Sequence, residues 1–246
     1  MTVWRRRLTI RLQALERFVL VRSLDAVMKN SNNVRSAKNS NGLFRNHRRA
    51  NGLPRGKIVR QRPRPLIAVY GSSAARSGDE IYAAGLAMGR LLGESGFDVM
   101  TGGYKGVMEA VSRGARAGGA HVVGITMARF EDRVNRYVMD EIHTANFYER
   151  FGWLVDRADG YVAMPGGIGT LAEVAFAWQE LLLQIVPPRP LVLVGSRWRA
   201  LYDSFVGNLV QTPNLYDVLT LAATPGDAAE FLCAYFGLER GAGAAP

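Results

Sequence analysis

Apolar and polar positions fall into two regimes along this chain, and the change comes near residue 65. Beyond it, short continuous apolar runs alternate with longer segments whose apolar residues recur every three or four positions. Leu66–Tyr70 is the first run, and it leads into Gly71-Ser72-Ser73. Phe97–Thr101, His121–Thr126, Gly160–Met164 and Pro190–Val194 are four more. Runs of this length, apolar at successive positions, predict strands buried on both faces. Between them, Asp79–Glu94 sets Ile81, Leu86, Met88, Leu91 and Leu92 at helical spacing. Val107–Ala117, Tyr148–Ala158, Thr170–Leu183, Trp198–Val210 and Asp227–Tyr235 predict further helices. Five strands alternating with helices make βαβ units. The predicted fold is therefore α/β, a doubly wound, Rossmann-like parallel sheet in a single domain over residues 65–240.

The first 64 residues read differently. Leu8, Leu12, Leu15 and Val19 stand at helical spacing among Arg5, Arg6, Arg7, Arg11 and Arg17, which predicts an amphipathic basic helix within residues 3–28. Residues 29–65 are rich in Asn, Ser, Gly, Arg and Pro, as expected of a flexible, largely disordered linker. The chain carries a net charge of +10, but residues 1–64 hold 17 basic residues against Glu16 and Asp25, a local +15. The remainder is −5, so the pI of 10.2 belongs to the extension and does not mark the whole protein as a nucleic-acid binder. Three readings of the extension stand side by side. They are a cleaved organelle-targeting peptide, a tail for an anionic lipid or nucleic-acid surface, and a dispensable addition. A cytoplasmic location is expected, with an organellar one under the first reading.

Composition removes several chemistries. One cysteine, Cys233, cannot form an intramolecular disulfide, and His47, His121 and His143 have no metal-ligand spacing. No apolar run approaches 18 residues, so no membrane-spanning helix is expected. Neither a metal nor a cofactor is expected. Pyridoxal chemistry needs a Schiff-base lysine, and Lys105 is the only lysine after residue 57. It lies in a glycine loop suited to phosphate, which argues against a lysine decarboxylase. No Gly-x-Ser-x-Gly elbow is present for a serine hydrolase.

Two predicted strands run directly into glycine clusters that open helices. These are Gly102-Gly103-Tyr104-Lys105-Gly106 before Val107-Met108, and Pro165-Gly166-Gly167-Ile168-Gly169-Thr170 before Leu171. Glycines let backbone N–H groups approach an anion, and a helix N-terminus favours negative charge. Neither loop is a Walker A or a regular dinucleotide fingerprint. One such loop alone is equally a tight turn, but two at strand ends of one sheet point to a nucleotide monophosphate or sugar phosphate. Thr170-x-x-Glu173 matches a capping box, and on sequence physics alone the cap is the preferred role of Glu173. A carboxylate facing a ribose is the other. Arg150, by the same reasoning, is a helix-surface arginine paired with Glu149. Trp153, Trp178 and Trp198 are expected in the core or at a dimer contact, and Met88, Met100, Met127 and Met164 as packing residues. His121 is expected to pack or face solvent, His143 to lie before the Arg150 helix, and Arg129, Arg133 and Arg136 to solvate a loop.

Pro165-Gly166-Gly167-Ile168-Gly169-Thr170-Leu171-Ala172-Glu173 resembles the PGGxGTxxE signature of the LOG (Lonely Guy) family, and Gly102-Gly103…Gly106-Val107-Met108 resembles its second signature. The resemblance covers about residues 66–220. It implies a Rossmann-like homodimer that hydrolyses the N-glycosidic bond of nucleoside 5′-monophosphates, of cytokinin riboside or AMP type, to free base and ribose 5-phosphate. Carried over by position, Arg150, fifteen residues before Pro165, and Glu173 are the catalytic pair. Gly102, Gly103, Gly106, Met108, Gly166, Gly167, Gly169 and Thr170 bind the nucleotide and its phosphate. With this resemblance the surface reading of Arg150 gives way to the catalytic one. The chain departs from plant-type members at Phe151, where they have lysine, at Ala172, where they have a second acid, and at Lys105. Molybdenum-cofactor carriers share the fold, so a carrier that binds without cleaving is the alternative.

Overall fold

Seven strands, two more than the apolar runs predict, make up the sheet. The computed structural model describes residues 64–128, 133–211 and 214–238. In chain order the elements are β1 (Leu66–Tyr70), α1 (Glu80–Glu94), β2 (Asp98–Thr101), α2 (Val107–Ala117), β3 (Val122–Met127), β4 (Asp140–Thr144), α3 (Phe147–Asp156), β5 (Gly160–Ala163), α4 (Ile168–Leu182), β6 (Leu191–Val194), α5 (Ser196–Asn208), β7 (Leu219–Ala222) and α6 (Pro225–Phe236). The basic extension and its expected helix lie outside the described residues, as does Arg129. Among the described residues, no helix is long and apolar enough to cross a membrane.

All strand pairs are parallel, in the order β4-β3-β2-β1-β5-β6-β7. The two unpredicted strands, β4 and β7, are the two edges. In β4 (Asp-Glu-Ile-His-Thr) one residue of five is aliphatic, and only Thr144 is fully buried. In β7 (Leu-Thr-Leu-Ala) only Ala222 is buried. An edge strand has one ladder partner and an open side, so it does not carry the continuous apolar run that marks β1, β2, β3, β5 and β6.

The alternating inner residues build one core on each face. Met88, Leu92, Val107, Val111 and Leu232 of α1, α2 and α6 cover the face of Ile67, Val69 and Val99. Trp153, Val174, Trp178 and Trp198 of α3, α4 and α5 cover the face of Leu66, Ala68, Tyr70 and Ile125. The three tryptophans and the four methionines singled out in the sequence are all buried, as core packing requires. At the N-terminal edge of the sheet, Arg64 donates to the carbonyls of Gly93, Gly96 and Gly119, where α1 and α2 end. His121 Nε2 lies 2.8 Å from Asp140 Oδ2 and ties β4 to the start of β3.

The chain walks outward from β1 to β4, crosses back, and lays β5 on the other side of β1. That reversal makes the C-terminal ends of β1 and β5 the switch point, where doubly wound sheets form their ligand crevice.

Candidate active site

Three loops meet at that crevice because the first one binds the other two. The Ser72 N–H, just after β1, donates to Pro165 O at 3.3 Å, and Ser72 O accepts from Val107 N at 2.8 Å. The loop after β2 is thereby joined to the loop after β5. Gly103 and Gly106 have φ of +79° and +77°, a conformation that L side chains rarely adopt. The Gly102–Gly106 loop is further pinned by Asn135, whose side-chain amide donates to the carbonyls of Gly103 and Tyr104 at 3.0 Å. The Tyr104 hydroxyl in turn accepts from Met127 N at 2.7 Å. Sequence reading missed Ser72, Tyr104 and Asn135. Nothing local marks them, since their partners are backbone groups far away in the chain.

The two glycine loops differ in surroundings. Gly102, Gly103, Gly106 and Met108 are buried, whereas Gly166, Gly167 and Gly169 are exposed. Gly106 caps α2, but Val107 N–H is already taken by Ser72 and Glu109 sits in the first turn. Gly167 caps α4 with no side-chain hydrogen bond and no acidic residue in the first turn. A methyl at Gly167 or Gly169 would meet nothing within 4 Å, and neither has positive φ. Packing therefore requires glycine at neither position. An uncapped, acid-free helix start lined by such glycines is the more anion-receptive of the two. Gly166 has a reason within the chain, because a methyl there would overlap the buried Thr170 side chain.

The helix start also removes the expected capping box. With Gly167 as N-cap, Thr170 already lies within the first turn and Glu173 in the second, so Glu173 cannot close back on a cap. Its Oε1 instead accepts from Arg150 Nη1 at 3.0 Å, a pair whose side chains are only 11% and 7% exposed. The surface reading of Arg150 fails for the same reason. Glu149 turns the other way, accepting from Ala145 N while Asn146 caps the Glu149 N–H. Arg150 is further oriented by Nε, which donates to Ile125 O at 3.0 Å. Its Nη2 makes no hydrogen bond among the described residues.

Burial pushes the Glu173 carboxyl above the ordinary glutamate range, and the Arg150 charge and hydrogen bond pull it back only in part. Tyr70 is raised well above its usual value by burial, then by Tyr161 and Glu173. His143 sits on the exposed edge strand, its Nδ1 3.0 Å from Thr126 Oγ1. Among the described residues, no group of His, Cys, Asp and Glu is arranged to hold a metal ion.

Fold and site together define a doubly wound α/β protein. Its crevice pairs an anion-receptive helix start with a buried carboxylate–guanidinium couple. The chain belongs to the SLOG cluster4 family, whose model matches residues 64–186, half its length. An uncharacterised protein of Archaeoglobus fulgidus is 33% identical over 131 residues, covering 53% of this chain and 85% of that one. A probable cytokinin riboside 5′-monophosphate phosphoribohydrolase of Oryza sativa is 28% identical, covering 72% of this chain and 74% of its own. The Mycobacterium tuberculosis protein of that name is 29% identical over 52% and 69%. Among solved structures, the molybdenum cofactor binding protein of Rippkaea orientalis superposes with a TM-score of 0.58 at 23% identity, covering 70% of this chain and 98% of that one. That likeness speaks for the fold.

Proposed function

We propose that this chain hydrolyses the N-glycosidic bond of nucleoside 5′-monophosphates. The observation that carries the reading is the buried pair of Arg150, on α3, and Glu173, on α4, the helix whose uncapped glycine start opens at the crevice. The names of the rice and mycobacterial relatives support it. In this reading the 5′-phosphate lies at the α4 N-terminus, on the N–H groups of Ile168, Gly169 and Thr170. The C1′–N bond breaks with its electron pair leaving on the base. Positive charge then grows on C1′ and the ring oxygen, and the Glu173 carboxylate stabilises it. The same carboxylate takes a proton from the water whose oxygen bonds to C1′. Glu173 then gives that proton up to solvent while the departing base nitrogen takes one from solvent, so that water is added across the bond and ribose 5-phosphate is the second product. Arg150 holds Glu173 in place through Nη1 and offers Nη2 to a substrate oxygen.

Incubation of the full chain with AMP and isopentenyladenosine monophosphate tests this, with base followed by chromatography. The expected result is release of base and ribose 5-phosphate that Glu173→Gln abolishes. Tight nucleotide binding without release from either protein would overturn the hydrolase and favour a carrier. We further propose a homodimer. Phe147, Tyr148, Ile168, Leu183 and Ile185 leave α3, α4 and the turn after α4 with an exposed apolar surface, which a second copy would cover.

A further inference from the structure

The guanidinium of Arg150 lies in a slot with identifiable walls. Nε is held by Ile125 O and Nη1 by Glu173, each at 3.0 Å. Nη2 lies over Gly102. A methyl built on Gly102 would overlap Nη2, stand 3.3 Å from Cζ, and stand 2.6 Å from Met108 Sδ. Gly102 is not among the glycines with positive φ, so its backbone suits any L residue. Its neighbours differ. A methyl on Gly106 would strike the Ser72 carbonyl and the Ser73 backbone, and one on Gly103, whose φ of +79° already disfavours a side chain, would come 2.9 Å from the β-branched Thr126 Cγ2 and 3.4 Å from Gly124 Cα. At Gly102 alone the obstruction is the tip of two flexible side chains. Nor is the missing side chain open to a ligand, as at Gly167 and Gly169, because Arg150 and Met108 occupy that space.

We propose that Gly102 is a positioning residue: its missing side chain is the slot that lets the Arg150 guanidinium bind Glu173 with one nitrogen and keep another free for substrate. This rests on the reading of Arg150 and Glu173 as the working pair. A methyl at 102 leaves the loop folded and pushes the guanidinium off its two partners. Displacement of a catalytic group by about 1 Å can cost on the order of 100-fold in rate.

The test is a double-mutant cycle in the full chain, using Gly102→Ala, Arg150→Lys and the double variant, since lysine has no Nη2 to be displaced. The first readout needs no turnover. The Glu173 carboxyl is titrated by ¹³C NMR in ligand-free protein, with Glu173→Gln identifying its signal. Gly102→Ala is expected to raise the midpoint, because the arginine that pulled it down has moved, and to add nothing in the Arg150→Lys background. The second readout is base release. Gly102→Ala should lower kcat by about 100-fold with KM changed less than about 3-fold, and should cost less than about 3-fold on top of Arg150→Lys. Equal losses in both backgrounds with an unmoved titration would overturn the proposal, as would loss of cooperative urea unfolding in Gly102→Ala. If wild type releases no base, the hydrolase reading fails, while the titration still decides what Gly102 does.

Discussion

Glu173 is held between two opposing influences, and their balance sets its pH behaviour. Burial raises the carboxyl above its ordinary range, and Arg150 offsets only part of that. The folded protein therefore holds this proton at pH values where the unfolded chain has released it. The sign follows: the contribution is fully present below the unfolded value and is lost as pH rises through the folded one. The stability of wild type relative to Glu173→Gln should thus fall as pH rises through this window, measured by urea denaturation across pH 4 to 8. If the ionised form is the working one, the acid limb of kcat/KM sits above the ordinary glutamate range. Gly169 makes a second residue-scale case. It lies in a helix, has ordinary φ and faces open space. Gly169→Ala should stabilise the fold by about 0.4–1 kcal/mol, read by denaturation, while weakening AMP binding. Unchanged AMP affinity would remove the phosphate from this helix start.

At the scale of elements, two Thr-x-x-acid patterns look alike in the sequence and fold differently. Thr224-Pro225-Gly226-Asp227 is a true capping box, with Asp227 N donating to Thr224 Oγ1 and Thr224 N to Asp227 Oδ2. Thr170…Glu173 is not, because α4 is capped by Gly167, three residues before Thr170. Thr224→Ala should cost about 0.5–2 kcal/mol in urea denaturation and leave base release unchanged. The edge strands teach a related lesson. Leu66–Tyr70 was legible as a strand because all five residues are buried. Asp140–Thr144 was not, because its outer positions meet water. The polar edge is also where β4 gains side-chain ties, His121–Asp140 and Thr126–Glu141, that replace a second ladder.

For the molecule as a whole, charge and apolar surface divide between regions. The +15 of residues 1–64 stands against −5 for the rest, so whole-chain pI says little about the crevice. The exposed apolar side chains of α3 and α4 include Tyr148 at 88% and Ile168 at 83%. Sedimentation equilibrium should give twice the 27.0 kDa chain mass, and Tyr148→Asp should shift it toward the monomer. A monomer in the wild type at micromolar concentration would refute the homodimer.

The alternation of elements, the interior strands and the glycine loops were determined by the sequence itself. Each is a local consequence of burial on both faces of a strand, or of a backbone that must turn or lie open. The pairing of Arg150 with Glu173 joins α3 to α4 across 23 residues and was available from the residues only through resemblance to a family. The role of Gly102 was not legible at all. Its neighbour in space is the tip of a side chain 48 positions away, and only the packing of α3 against the strand ends brings the two together. Local pattern records what a segment buries. Which segment it meets is decided by crossovers and helix packing, and that is where the candidate chemistry of this protein is assembled.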